Sequence, residues 1–269
     1  MPKEDTAFKG SIPAIYDRHL GPLLFQPYAR EVARRAAGYG PQRILETAAG
    51  TGIVTAALAS ACPQAEIVAT DLNQAMLDVA AERVRSDKVS FRAADAQELP
   101  FGDGEFDLVV CQFGVMFFPD KVKANREARR VLREGGRYVL AIWDKLAANP
   151  ASQIIHDSVA AAFPDNPPAF LARTPFGYAD PAAIEHDLLA AGFTDIEFET
   201  VALSSMPGAT SDDAATGMVQ GSPLRAEVEQ HGPGALDRAT EAARRALQSL
   251  NGAAGFDSRL SAHIVTAIR

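Results

Sequence analysis

From Arg43 onward the apolar positions fall into short runs separated by stretches with helical spacing. Arg43–Thr47 (RILET) is a brief apolar run that ends at a loop of small residues, and Ile53–Ala61 then reads as a helix. Glu66–Asp71 (EIVATD) is a second run of strand type. Asn73 can cap a helix over Gln74–Arg85, where Ala75, Met76, Val79, Ala80 and Val84 recur at the interval of one helical face. Val89–Asp95 predicts a third strand. Phe106–Phe113 is almost wholly apolar, as a central parallel strand buried on both faces must be. Lys121–Arg133 predicts a helix stopped by Gly135-Gly136, and Tyr138–Asp144 a fifth strand.

Strands that alternate with helices of this length imply right-handed βαβ crossovers, and hence a doubly wound α/β fold with a parallel sheet. Beyond Asp144 the alternation loosens. Residues 145–178 are rich in proline, with an amphipathic stretch near Ser152–Phe163. Pro181–Ala191 predicts a helix closed by Gly192, and Thr194–Leu203 a strand. Residues 207–250 are helical with glycine and proline breaks, and Arg259–Ile268 is again a strand. With no repeat and no low-complexity linker, one domain over residues 1–269 is expected. Its core would comprise about 36–144, 179–204 and 258–269. The segments 1–35, 145–178 and 207–250 would be helical lid and acceptor elements.

Charge narrows the partners. The chain carries 26 basic and 34 acidic residues, a net charge of −8, which gives it no general attraction to a phosphate backbone. Nucleic acid is therefore not expected as a partner. Neither is a membrane, since no apolar run reaches spanning length and MPKEDTAFKG has no apolar signal core. Cys62 and Cys111 lack CxxC spacing, so no metal site is expected, and a reducing, cytoplasmic setting fits them best.

The candidate chemistry lies at the carboxyl ends of the first three strands, where open α/β sheets bind ligands. The first ends in Glu46 and the loop Thr47-Ala48-Ala49-Gly50-Thr51-Gly52, the second in Asp71, and the third in Asp95-Ala96-Gln97. The glycine spacing is neither GxGxxG nor that of a P-loop. Three acidic ends suit a cationic ligand and suit a pyrophosphate poorly.

In these segments the chain resembles class I S-adenosylmethionine (SAM) dependent methyltransferases, in the branch of the ubiquinone/menaquinone C-methyltransferases. ILETAAGTG is similar to their glycine loop, ATDLNQAML to their ribose-binding segment and AADAQELPF to their adenine-binding loop. FDLVVCQFGVMFFPD and EARRVLREGGRYVLAIWD resemble the strands and helix that follow. The resemblance is strong over about residues 40–145 and weaker over 175–204.

It implies a Rossmann-like seven-stranded sheet in the order 3-2-1-4-5-7-6, with the last strand antiparallel. It implies SAM as cofactor, S-adenosylhomocysteine as product and a small-molecule methyl acceptor. Glu46 would face the methionine amino group, and Ala48, Gly50 and Gly52 would line the cofactor. Asp71 would bind the ribose, Leu72 and Met76 would pack on adenine, and Asp95, flanked by Ala96 and Gln97, would accept from the adenine amino group. Gln112 and Phe113 would face the methionine part, and Tyr16 in the N-terminal segment would touch the cofactor. At Ala48 the family often has glycine, and a negative φ there would accommodate the extra methyl.

The acceptor side is less marked. His19, Gln112 and Trp143 are candidates for the acceptor pocket, and no general base stands out among the five histidines. Two alternatives stay open: an NAD(P)-dependent oxidoreductase, which shares the sheet and the acid after the second strand, and a SAM-binding protein without turnover. The glycine spacing and the lack of a Tyr-x-x-x-Lys pair disfavour the first. The oligomeric state is open, a homodimer included.

Overall fold

A computed structural model of the chain describes residues 12–252, 255–256 and 259–269. Two compact units make up the chain. One comprises Tyr28–Trp143, Tyr178–Val201 and Ala262–Arg269, and the other comprises the described part up to Pro27, Asp144–Gly177 and Ala202–Ser261. The sheet unit thus begins at Tyr28, inside the segment 1–35 that the sequence grouped with the lid elements.

The sheet contains β1 (Arg43–Thr47), β2 (Glu66–Asp71), β3 (Val89–Ala93), β4 (Phe106–Gln112), β5 (Leu132–Trp143), β6 (Thr194–Ser204) and β7 (Arg259–Ile268). Their order is β3-β2-β1-β4-β5-β7-β6, as expected from the sequence. β1 through β5 run parallel. β7 is antiparallel to β5, in register from Arg137↔Ile268 to Trp143↔Ala262. Ile44, Leu45, Leu108, Val109 and Val110 are fully buried in the central strands. Burial of each such side chain contributes roughly 1.5–3 kcal/mol, which explains why these strands read as unbroken apolar runs. Edge strand β3 is mostly exposed or half-buried. Asp107 ties the strand starts together, since its Oδ2 accepts from the backbone N–H of Gln42 and of Arg43, each at 2.8 Å.

Side chains set the helix starts. Asn73 accepts from the N–H of Ala75 at 3.1 Å and opens helix Gln74–Arg83. Asp120 accepts from Lys123 N–H at 2.8 Å and opens helix Lys121–Val131. Replacing such a cap by alanine costs about 1 kcal/mol.

One element departs from the sequence pattern. The helix expected to reach Arg133 ends at Val131, and β5 starts at Leu132, six residues before the expected Tyr138. Gly135 takes φ +71° and the β4–β5 register shifts between Phe106 and Leu108. The glycine pair that reads as a helix stop is an irregularity inside a strand.

In the other unit, helix Ala235–Leu247 buries Ala235, Ala239, Ala243 and Leu247 at four-residue spacing. Their small side chains let it pack closely on helices Pro150–Ala162 and Ser211–Gln220. Gly217 and Gly221 play the same part where Ser211–Gln220 meets the wide π-helical turn Tyr16–Phe25. Among the described residues no helix is long and apolar enough to cross a membrane. Among the described residues no group of three or more His, Cys, Asp or Glu is placed to hold a metal ion.

Candidate functional site

Three backbone positions in the loop after β1 lie in the left-handed region: Ala48 at φ +53°, Gly50 at +55° and Gly52 at +77°. The negative φ that would have accommodated the Ala48 methyl is therefore not found. The Ala48 methyl has room there because residue 114 is glycine, so that no side chain disputes its space. Glycine is required at 52 on two counts. Besides the positive φ, a Cβ would stand 2.8 Å from Ala80 Cβ. The loop is held down by Ala49 N–H donating to Thr70 O at 2.9 Å, and Arg83 Nε donates to Thr51 O at 2.9 Å.

Asp71, at the end of β2, organises this loop. Its Oδ2 accepts from Gly50 N–H at 2.9 Å, and its Oδ1 accepts from Asn73 N–H at 2.8 Å. A phosphate-binding loop would offer such an amide to the ligand, but here it is given to a carboxylate. Burial raises the Asp71 carboxyl above its ordinary range, and these amide donors work against that rise.

Glu46 lies one strand away, with only 1% of its surface exposed. Thr55 donates its hydroxyl to Glu46 Oε2 at 2.6 Å. Burial pushes the Glu46 carboxyl up to about 8, the neighbouring Asp71 adds to the rise, and the Thr55 hydrogen bond opposes it. Two carboxyls on adjacent strand ends, one of them nearly dry, are stabilised most by a cation placed beside them. Leu72, next to Asp71, is 67% exposed, while Met76 is buried with its Cε 3.7 Å from where a Gly50 Cβ would be.

Residues 45–140 match the sequence pattern described as a methyltransferase domain. The chain is similar to demethylmenaquinone methyltransferase of Deinococcus radiodurans, 39% identical over 115 residues, 42% of this chain and 48% of that one. The chain spans about half the length of the curated relatives it matches. In fold it is similar to the YcgJ protein of Bacillus subtilis, with a TM-score of 0.59 at 20% identity over 90% of this chain and 98% of that chain. It is also similar to phosphoethanolamine N-methyltransferase 2 of Haemonchus contortus, solved with phosphomonomethylethanolamine and S-adenosylhomocysteine. There the TM-score is 0.60 at 20% identity, covering 96% of this chain and 56% of that chain.

Residues 45–140 thus form a segment similar to a methyltransferase domain. Within it, the third strand end is brought beside the first two by Ala94 N–H donating to Asp71 O at 3.0 Å. Asp95 Oδ1 accepts from Gln97 N–H at 2.8 Å. The Gln97 amide bridges outward, with Nε2 donating to Asp95 Oδ1 at 3.2 Å and Oε1 accepting from Asp120 N–H at 3.0 Å. Gln97 thus fastens its loop to the next helix, and Ala96 between them is half-buried.

At the end of β4, Gln112 is buried and Phe113 takes φ +54°. The Phe113 ring stacks on Trp143 with centroids 3.7 Å apart and planes 2° from parallel. Tyr28 meets both rings edge-on, at 5.3 and 5.5 Å, and donates its hydroxyl to Val201 O at 2.7 Å. Trp143 is thus a packed member of an aromatic trio, 3% exposed.

The other candidates lie in the helical unit. Tyr16 stacks on Phe25 at 4.8 Å, and His19 pairs with Asp213 at 2.7 Å. His263, by contrast, has Thr200 Oγ1 at 2.9 Å from one ring nitrogen and Ala179 O at 3.2 Å from the other, as a structural histidine does. Sequence patterns missed Thr55, Asn73 as a support of Asp71, Gly114 and Asp213. Thr55 alone had a signal, standing in the first turn of the helix that the glycine loop opens.

Proposed function

We propose that this chain transfers a methyl group from SAM to a small-molecule acceptor. The observation that carries the proposal is the pairing of Asp71 with the Gly50 amide beside buried Glu46. That arrangement favours a cationic ligand and spends the loop amide that a pyrophosphate would need. The left-handed positions at Gly50 and Gly52 hold the loop in a tight turn beside Asp71, which fits a cofactor lying along the loop. The match over residues 45–140 supports the same function.

In this proposal Glu46 holds the methionine amino group and Asp71 the ribose, while Ala48, Gly50 and Gly52 line the cofactor. Leu72, whose exposure no core packing explains, covers one face of adenine with Met76, and Asp95 accepts from the adenine amino group beside Ala96 and Gln97. Gln112 and Phe113 face the methionine part. Bound there, SAM supplies a methyl carbon activated by its sulfonium. The protein's share is then alignment and exclusion of water, to which the packed Tyr28–Phe113–Trp143 trio contributes.

Tyr16 as a cofactor contact, and His19 and Trp143 as acceptor-side residues, belong to the same proposal. The quinone precursor named for the relatives is not carried over, since similarity to them covers under half of this chain. The net charge of −8 favours a small acceptor over a nucleic acid. Two buried free cysteines, Cys62 and Cys111, fit a cytoplasmic setting.

The test is to incubate the chain with SAM and a panel of hydroxyl, thiol, amine and activated-carbon compounds and to measure S-adenosylhomocysteine. Acceptor-dependent release supports the proposal. SAM binding with no release over the panel favours a cofactor-binding protein without turnover. Turnover of alcohols with NAD(P) in its place would make the chain an oxidoreductase.

A further inference from the structure

Thr55 stands in the first turn of helix Ile53–Ala61 and spends its donors outside that helix. The helix ladder opens with Ala56 N–H donating to Gly52 O at 2.9 Å, so the Thr55 amide just before it has no intrahelical partner. A threonine hydroxyl in a helix commonly turns back to the carbonyl four residues earlier. That carbonyl, Thr51 O, receives Arg83 Nε at 2.9 Å. The Thr55 hydroxyl reaches across to β1 instead and donates to Glu46 Oε2 at 2.6 Å. The Thr55 backbone N–H supports the same carboxyl.

Thr55 and Glu46 are both buried, and all the groups around them belong to the sheet unit. On β2 the neighbour is Asp71, a second carboxyl that works against a charge on Glu46. On β4 it is the thiol of Cys111, buried, pushed up to about 11 chiefly by that burial and further by Glu46. Neither supplies a positive charge. Within these surroundings the Thr55 donors are what favours the ionised carboxyl, against burial. A carboxyl that is to hold an ammonium group must first give up its proton. Every donor that stabilises the carboxylate eases that loss.

We propose that Thr55 is a positioning residue of the cofactor site, orienting Glu46 and keeping it available as the anion that takes the ammonium group of the methionine part. The proposal rests on the function above, in which Glu46 holds that group. Thr55 acts only through Glu46. Its loss therefore weakens ligands that carry the amino acid part and spares those that lack it. It also moves the pH at which binding fades. Below about 8 the unliganded Glu46 carries a proton, which passes to solvent when the ammonium group binds. Affinity for such a ligand then falls about tenfold for each unit by which pH drops. Without the Thr55 hydroxyl the fall begins at higher pH.

The test titrates the full chain by calorimetry from pH 6 to 9 with two ligands. S-adenosylhomocysteine carries the amino acid part, and 5′-methylthioadenosine lacks it. In the wild type the first should bind more tightly as pH rises toward 8, and the second should not respond. Thr55→Val keeps the shape and loses the hydroxyl. It should weaken S-adenosylhomocysteine at pH 7 about ten- to hundredfold and move its rise to higher pH, with 5′-methylthioadenosine near its wild-type affinity. Thr55→Ser, which keeps the hydroxyl, should restore the wild-type profile. Titration of the ligand's own amino group is common to all these proteins and cancels in the comparison.

Equal losses on the two ligands in Thr55→Val, or a profile that the substitution does not move, overturn the proposal and make Thr55 a packing residue. If Thr55→Val does not fold, Thr55→Ala takes its place, and a wild-type pH response equal for the two ligands overturns the proposal without any variant. Failure of the wild type to bind S-adenosylhomocysteine at any pH would instead contradict the cofactor site, so the two failures are distinguishable.

Discussion

The methyl of Ala48 fills the space in which a side chain at residue 114 would have to begin. A Cβ on Gly114 would overlap it and would also stand 3.0 Å from Cys111 Sγ. The methyl of Ala48 and the bare Gly114 thus share one space, which only one of them can fill.

Gly114→Ala should cost about 1–3 kcal/mol through overpacking. In an Ala48→Gly background the cost should shrink by about 1 kcal/mol or more, leaving the share due to Cys111. Denaturant unfolding of the four proteins in the cycle measures the coupling. Additive effects would mean that the two residues do not share the space.

Gly52→Ala faces both a left-handed backbone and Ala80. The two penalties together are about 2–5 kcal/mol. The thermal midpoint should fall by roughly 2–4 °C for each kcal/mol. Gly50→Ala, whose Cβ would meet only Met76 at 3.7 Å, should be milder. Equal losses would contradict the packing described at Ala80.

Much of this was legible in the chain itself. β1, β2, β7 and helix Ile53–Ala61 coincide with their sequence expectations because each is an apolar run with polar or glycine boundaries. The acidic strand ends could be placed because parallel strands deliver their last residues to one edge. Gly135-Gly136 misled because glycine ends helices and kinks strands alike, and only the register opposite β4 separates the two. The room for the Ala48 methyl depends on Gly114, sixty-six residues away, and the His19 pairing on Asp213, 194 residues away. No local pattern carries either.

Glu46 should make stability depend on pH. Its carboxyl sits near 8 in the folded protein against an ordinary 4.5. The unfolded chain therefore ionises it first, and the stability present below about 4.5 is lost as pH rises toward 8, at about 1.4 kcal/mol per unit of pH. Glu46→Gln should flatten that decline and raise the thermal midpoint at pH 8 relative to the wild type, while weakening SAM binding. Thermal scans from pH 5 to 9 decide it. A mutant less stable at pH 8 would show that the carboxylate is welcome in the unliganded fold.

Trp143 is the one tryptophan in the chain, and its stack on Phe113 makes it a reporter of the β4 and β5 ends. Trp143→Ala should cost about 3–5 kcal/mol. SAM should alter its emission and NAD should not. A SAM titration that leaves the fluorescence unchanged would separate Phe113 from the methionine side.

The most direct measurement is a calorimetric titration of the wild type and Asp71→Asn with SAM, S-adenosylhomocysteine and NAD. Removing one charged hydrogen-bonding partner costs about 1.5–3 kcal/mol, roughly a ten- to hundredfold loss of affinity. The prediction is that both SAM-type ligands bind the wild type, that NAD does not, and that Asp71→Asn weakens binding by that factor while remaining folded. Tight NAD binding, or SAM binding indifferent to Asp71, would contradict the site built here on Asp71, Gly50 and Glu46.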